Sequence, residues 1–564
     1  MVQPTDLAIV NGVVRTVDAR DTVAEAVLIQ GGRFAAIGSA SDIRALAGPD
    51  TTVYDAEGRT VVPGFIDPHN HLSLAAFEPV SVDCHTPPLA SIDEVLDAIS
   101  RHCRNVPIGQ WVRGVGYAVP GVREQRPPTR WELDEAAPNN PFFLLDLTCN
   151  AAYVNSLALS QVGISAHTPQ PWGGLIVMDH RGEPTGTLYQ AALNPFQTAS
   201  WRAYAHDDWD AATELLHAKM NEYLSVGITS LCDAAVTPDC AELYERADVA
   251  GKLAFTVQQL HTADDFFGKP DLRRNDFVER VRGRDSDRLR GGTMKLFVDH
   301  AFPDGPAMDR IHDGCRVHTG TAYYNKPEVK DLALGARKLG INTAIHAMGN
   351  CSVNTVLDAY EAVRIAEGTD AALLRLEHAY VAEPAQAPRM ASLGVDLVAK
   401  PGLVYLHGPV FRDVWRGAGQ RHLSVIPLRS MIDAGVRVSF GSDAPAGTFK
   451  PAEILWSALT RRAIDGDEIN IEEAVRPEQA LRCYTINSAH AANRASEEGS
   501  IEVGKRGNLV VLDRDIITCP VDDVRTMRVL MTVVGGRVVY QDRESLKPAA
   551  PQLNLSTDRG PSLS

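Results

Sequence analysis

Apolar and polar residues alternate over short runs at both ends of this chain, and glycine turns close the runs. Segments 7–12, 26–31 and 34–38 read as short strands ended by Asn11-Gly12 or by glycine, and segments 508–513 and 529–536 have the same texture. The two ends are expected to meet in one small β-sandwich domain built from residues 1–62 and 491–545. Residues 546–564, rich in Pro and Ser, read as a disordered tail.

The middle of the chain changes period. Short β-rich apolar runs alternate with longer helical patterns, as in parallel βα units. Eight such runs occur: Val61–Asp67, Ile228–Asp233, Leu253–Leu260, Met294–Asp299, Asn342–His346, Leu374–His378, Asp396–Lys400 and Val436–Gly441. They predict an α/β fold, a closed (β/α)8 TIM-like barrel over residues 63–490. A long insertion, about 73–225, follows the first strand; it is rich in Trp and Pro, turns a hairpin at Arg181–Gly186, and ends in a helix over 210–226.

Composition narrows the class. A chain of 564 residues with 45% hydrophobic content supports a large core and more than one domain. A net charge of -16 and a pI near 5.5 oppose a phosphate backbone, so nucleic acid is not expected as a partner. Nine cysteines occur without a Cys-x-x-Cys pair, which argues against a disulfide scaffold or a cysteine-rich zinc site and suits a reducing cytoplasm. The first residues lack a basic start and a long apolar run, so no signal peptide is read there, and no apolar stretch is long enough to span a bilayer. The glycosylation pattern at Asn350-Cys351-Ser352 is accordingly read as chance. Gly499–Lys505 has phosphate-loop spacing, but Arg506 stands where Ser or Thr should follow and a strand comes next, so it is read as a turn of the small domain.

Candidate chemistry gathers at the strand ends. Phe65-Ile66-Asp67-Pro68-His69-Asn70-His71 runs from an apolar strand into two histidines on one face of an extended chain, spaced to share an ion. Strand four carries Lys295 inside an apolar run, where an ammonium is costly. A lysine neutralised there can take up carbon dioxide as a carbamate, an anion able to bridge two cations. Strands five, six and eight end in His346, His378 and Asp443. Alone, each has an ordinary reading: loop histidines, a snorkelling lysine, core histidines, a helix cap. Together they place ligand-capable residues at the C-terminal ends of five strands, the face where barrels build active sites.

The linked motifs resemble the amidohydrolase superfamily, in its amidohydrolase-3 or YtcJ-like branch that includes N-substituted formamide deformylases. The resemblance spans nearly the whole chain. It rests on Val62–His71, Asn155-Ser156, Lys295, His346–Gly349, Glu377-His378 and Ser442–Pro445, and on Tyr484–Ala489 and Gly499–Lys505. It implies that His69 and His71 bind a buried ion and that a carbamylated Lys295 bridges to a second ion, held by His346 and His378. Asp443 would ligate the first ion and act as general base. Two zinc ions, a small-molecule substrate and a homodimer follow from the same resemblance. Two positions depart from the branch: His300 after Asp299, where Gly is usual, and Asn350 after Gly349, where Asp is usual.

A cation that lowers the pKa of water towards about 7 would supply hydroxide, and Asp443 would move the proton to the leaving nitrogen. The reaction expected is hydrolysis of a non-peptide C–N bond in an N-acyl, N-formyl or related amide. Aromatic residues in the insertion and rim loops point to an apolar or aromatic substrate; His300, Phe302, Trp111 and Tyr117 are the candidate contacts. A decarboxylase or lyase could use the same metals. A deaminase would need a glutamate near His346, and Ala347-Met348-Gly349 offers none. A scaffold on a dead barrel would be expected to have lost a ligand position.

Overall fold

The computed structural model describes residues 6–300, 305–312, 315–368, 373–415 and 423–542. The tail expected to be disordered lies outside them.

Eight parallel strands form the barrel: Phe65–Asn70, Ile228–Val236, Thr256–His261, Leu289–Phe297, Asn342–Gly349, Leu374–Ala382, Val395–Ala399 and Arg437–Phe440. They are numbered one to eight below. Their side chains are buried on both faces, which is why they read as unbroken apolar runs rather than alternating ones. Strand eight meets strand one just past its end. The amide of Asp443 donates to the carbonyl of His69 at 2.9 Å, and that of His71 to the carbonyl of Ala444 at 2.8 Å. Gly441 permits this approach, since a Cβ there would stand 2.8 Å from the Cβ of His69.

The expected first strand divides in two. Thr60–Pro63 joins the small domain, pairing with Val13–Arg15 and Leu509–Leu512, and the barrel strand starts only at Phe65. Gly64 separates the two because the chain there grazes strand two, where a Cβ would lie 2.1 Å from Oγ1 of Thr229. Both halves are buried and apolar, so hydrophobicity alone could not show the break.

The small domain packs two sheets face to face. One carries strands from both ends of the chain, in the order Arg537–Gln541, Val529–Val534, Leu509–Leu512, Thr60–Pro63, Val13–Arg15, Val23–Ala24. The other is Arg33–Gly38, Ala26–Gln30, Leu7–Val10, Thr52–Asp55. Ile9, Ile29, Val61, Leu509 and Val511 share the core between them. Lys505 lies in this domain with its Nζ 2.6 Å from Oγ of Ser500 and 2.9 Å from Glu502.

The insertion is more ordered than its sequence announced. It forms a sheet of its own, in the order Gly174–Met178, Pro184–Gln190, Ala151–Val154, Phe142–Asp146, Val112–Tyr117, Val82–Asp83. Its first two strands flank the turn at 179–183 as an antiparallel pair, and the helix Trp209–Ser225 leads into strand two. No helix among the described residues is long and apolar enough to cross a membrane.

Candidate metal centre

Strand one delivers His69 and His71 to the same face, as a period of two requires. Each imidazole is held by its Nδ1. That of His71 donates to the carbonyl of Ala234 at 2.5 Å, and that of His69 is hydrogen-bonded to the carboxylate of Glu377. Both Nε2 atoms are thereby free to offer a lone pair. Each lies 3.3 Å from Oδ1 of Asp443. A tetrahedral ion with spokes of about 2.0–2.1 Å sets its donor atoms about 3.3 Å apart. The three buried side chains therefore fit one divalent ion.

Asp443 is placed by a network joining strands one and eight. Asp67 accepts from the amide of Ser442 at 3.0 Å, its hydroxyl at 2.5 Å, Asn70 Nδ2 at 3.0 Å and the amide of His69 at 3.2 Å. Asp443 itself sits at a φ of 60°, a left-handed conformation that costs a non-glycine residue about 1–3 kcal/mol. Burial would raise its pKa, and the imidazoles of His69 and His71 hold it well below the usual carboxylate range only while they carry a proton on Nε2.

Strands four, five and six supply the opposite side. Lys295 is fully buried and its Nζ, 4.7 Å from the centre of the Phe297 ring, has no hydrogen-bond partner among the described residues. Burial lowers its pKa to about 7, so the neutral amine that carbon dioxide requires is accessible near neutrality. Alternation along strand six would send Glu377 and His378 to opposite faces. A φ of 77° at His378 and 45° at Ala379 turns the imidazole inward instead, with its Nδ1 3.8 Å from Oδ2 of Asp443. The rings of His346 and His378 lie 4.5 Å apart. Nε2 of His346 faces Asp299 at 3.6 Å. Burial pushes the pKa of His69 down to about 4 and those of His346 and His378 well below the ordinary value. All three are neutral, as ligands must be. Buried polar atoms left unpaired cost about 1–3 kcal/mol each. Lys295 Nζ and His378 Nδ1 are two such atoms on one cavity, and a cation there fits the lone pair of His378.

These residues line a cavity enclosing about 400 Å³ of empty space, mouth included. Its remaining wall is apolar, from Phe266, Phe267, Phe297 and Met348, with Thr148, Cys149 and Asn150 brought in by the insertion.

The family model described as "Amidohydrolase family" matches residues 52–540. The chain belongs to the amidohydrolase family. It is 58% identical to the N-substituted formamide deformylase of Arthrobacter pascens, over 96% of this chain and 99% of that one. It is 27% identical to the putative amidohydrolase YtcJ of Bacillus subtilis, over 92% and 96%. Among solved structures, an uncharacterized metal-dependent hydrolase from Pyrococcus horikoshii shares the fold with a TM-score of 0.71 at 20% identity, covering 92% of this chain and 99% of that one. The protein is thus a hydrolase of carbon–nitrogen bonds on a TIM-like barrel.

Sequence reasoning missed the groups that brace this amidohydrolase's candidate ligands. Glu377 accepts from His69 and from Arg375, and lies 3.5 Å from Lys400; all of them are buried. Arg375 and Glu377 share one face of strand six, so two charges at a period of two inside an apolar run were the available signal. Asp299 accepts from the amides of Met348 at 2.9 Å, Gly349 at 2.9 Å and Ala307 at 3.0 Å, which fixes the chain just beyond His346.

The expected substrate contacts are not brought to the cavity wall. Trp111 is buried in the insertion with Phe143 and Leu145. Tyr117 is fully buried there, donating to the carbonyl of Arg126 at 2.6 Å and packing edge-on to Tyr153. Both serve the core of a sheet that the sequence did not reveal. His300 packs its ring 4.6 Å from that of Tyr323, outside the lining. Phe302 lies outside the described residues. Phe266 and Phe267 stand on the cavity wall instead.

Proposed function

We propose that this enzyme hydrolyses N-substituted formamides to formate and the corresponding amine, using two divalent ions of which zinc fits the donors best. The identity of 58% with a formamide deformylase, running through nearly all of both chains, carries the substrate class. The nitrogen-rich donor set with a single carboxylate supports zinc over a hard ion such as magnesium.

His69, His71 and Asp443 would hold one ion, His346 and His378 the other, and a carbamate on Lys295 would bridge them. Bound there, the ions supply acidified water and polarise the carbonyl oxygen. Asp443, kept ionised by the cation it would bind, takes a proton from the attacking water and gives it to the leaving nitrogen. Glu377 and the Ala234 carbonyl hold His69 and His71 in the tautomers that ligation needs. Phe266, Phe267 and Phe297 offer the nitrogen substituent an apolar face of the cavity. Cys84, Cys103, Cys149, Cys232, Cys240, Cys351, Cys483 and Cys519 are free, which supports a reducing, cytoplasmic setting; we assign a homodimer, to be checked by light scattering.

The test is formate release from a panel of N-alkyl and N-aryl formamides, with the matching acetamides, carbamates and lactams as controls. Formamides are expected to be turned over fastest. Turnover of another class with no formate from any formamide would overturn the assignment. Mass spectrometry of the zinc-loaded protein should find one carbon dioxide added at Lys295.

A further inference from the structure

A second group of ligand-capable side chains lies outside the barrel centre. After strand four the chain forms an antiparallel hairpin, Met308–His312 with Cys315–Thr319, in which Asp309 is paired with His318. The hairpin lies against the start of the helix Asn350–Glu367, which follows strand five. The amide of Asp309 donates to Oδ1 of Asn350 at 2.9 Å, and Nδ2 of Asn350 returns a bond to the carbonyl of Asp309 at 3.3 Å. The approach is tight, since a Cβ on Gly349 would stand 2.1 Å from the carbonyl oxygen of Ala307. This docking brings Cys351 to the hairpin. Its Sγ is 3.7 Å from Nδ1 of His318, which is 3.2 Å from Oδ1 of Asp309. The three donor atoms lie within 4.8 Å of one another.

We propose that Asp309, His318 and Cys351 form an additional site for a thiophilic divalent cation, zinc or a chemical equivalent. The geometry carries it. Spokes of about 2.3 Å to sulfur and about 2.0–2.1 Å to nitrogen and oxygen, at tetrahedral angles, set S···N about 3.5 Å and N···O about 3.3 Å apart. The observed separations of 3.7 and 3.2 Å already match those edges. The third edge, sulfur to carboxylate oxygen, lies within 4.8 Å and would close towards about 3.5 Å on binding. The set of one thiolate, one imidazole and one carboxylate selects a borderline-soft ion over calcium or magnesium. His318 is exposed, so an ion can enter from solvent and keep water in the fourth position. On binding, the Cys351 thiol releases its proton to solvent and His318 carries its hydrogen on Nε2. The ion would tie the hairpin to the helix that begins beside strand five. It would thus steady Ala307, whose amide holds Asp299 behind His346.

Cobalt distinguishes this site from the barrel centre. The proposed barrel ligands include no thiolate, so a sulfur-to-cobalt charge-transfer band in the near ultraviolet reports only a cysteine-ligated ion. The full-length chain is stripped with chelator, reloaded with cobalt and desalted, then read by absorbance and elemental analysis. The wild type is expected to show the band and one more ion per chain than either C351S or H318A. C149S is the control, because Cys149 lines the barrel cavity, and it should keep both the band and the extra ion. No band in the wild type would overturn the proposal. So would a band that survives C351S, or one that disappears in C149S alone.

Discussion

The two sides of the barrel centre are built differently. On the side of strands one and eight every proposed ligand is braced: His69 by Glu377, His71 by the Ala234 carbonyl, and Asp443 through Ser442 and Asp67. On the side of strands four to six, Lys295 and His378 present buried nitrogen atoms that no described residue satisfies. The first side is preorganised by the protein, so its geometry is present before anything binds. The second depends on what it receives, and a buried amine with a pKa near 7 invites a chemical modification that the first side does not need. The lesson is that one site can combine a rigid half with a half completed by its ligands.

The largest effect should come from the rigid half. D443N keeps the size and much of the hydrogen bonding of Asp443 but removes its charge and its basicity. A drop in kcat of about 10²–10⁴-fold is expected, with the thermal transition of the metal-free protein little changed. A rate within about tenfold of wild type would remove Asp443 as proton carrier. It would also make the braced side a mere metal clamp.

E377Q probes the bracing itself. The variant leaves Arg375 and Lys400 buried with their shared anion gone, and leaves His69 with a weaker acceptor. Affinity for the first ion should fall by about 10–100-fold in a competition with a chelator. Stability should fall by about 3–5 kcal/mol in urea unfolding. Loss of stability without loss of metal affinity would assign Glu377 to the barrel's charge balance alone.

This contrast was only half legible in the sequence. His69, His71, Lys295, His346, His378 and Asp443 could be picked out because each is a polar residue where an apolar strand ends, and a barrel gathers such ends on one rim. The pairing of each with its support could not. Glu377 lies 308 residues from the histidine it orients, and Asp67 lies 375 from Ser442, and no local pattern encodes such pairs. The left-handed turn at His378 was equally hidden, because nothing in Glu377-His378-Ala379 demands a positive φ there. Trp111 and Tyr117 misled for the opposite reason. Aromatic residues in an apparent loop suggest a rim, but these belong to strands and core of a sheet whose order emerges only on folding.

The unsatisfied half makes its own prediction, in the metal-free protein. The folded-state pKa of Lys295 is lowered from 10.5 to about 7, so between those values the unfolded chain binds the extra proton. Stability should therefore rise with pH across that window. It is lowest at and below about pH 7, where the ammonium must be buried, and the penalty is gone near 10.5. K295M removes this group, so the difference between wild type and variant isolates it. The wild type should gain a few kcal/mol on the variant over the window. Parallel curves would mean that Lys295 reaches solvent or an anion in solution, and that the two sides are less different than they look.

The smallest effect belongs to the apolar wall that both sides share. Phe266 packs its ring 5.4 Å from that of His71 and also borders an adjoining apolar cleft lined by Leu74, Leu145, Leu193 and Phe267. Truncation in F266L should leave kcat for the smallest formamides nearly unchanged, because the ligands keep their own bracing. KM for formamides with large nitrogen substituents should rise by about tenfold, the worth of one lost apolar contact of about 1–2 kcal/mol. If kcat falls equally for large and small substrates, the phenylalanine is holding His71 in place rather than reading the substrate, and the braced side would extend one residue further than its hydrogen bonds indicate.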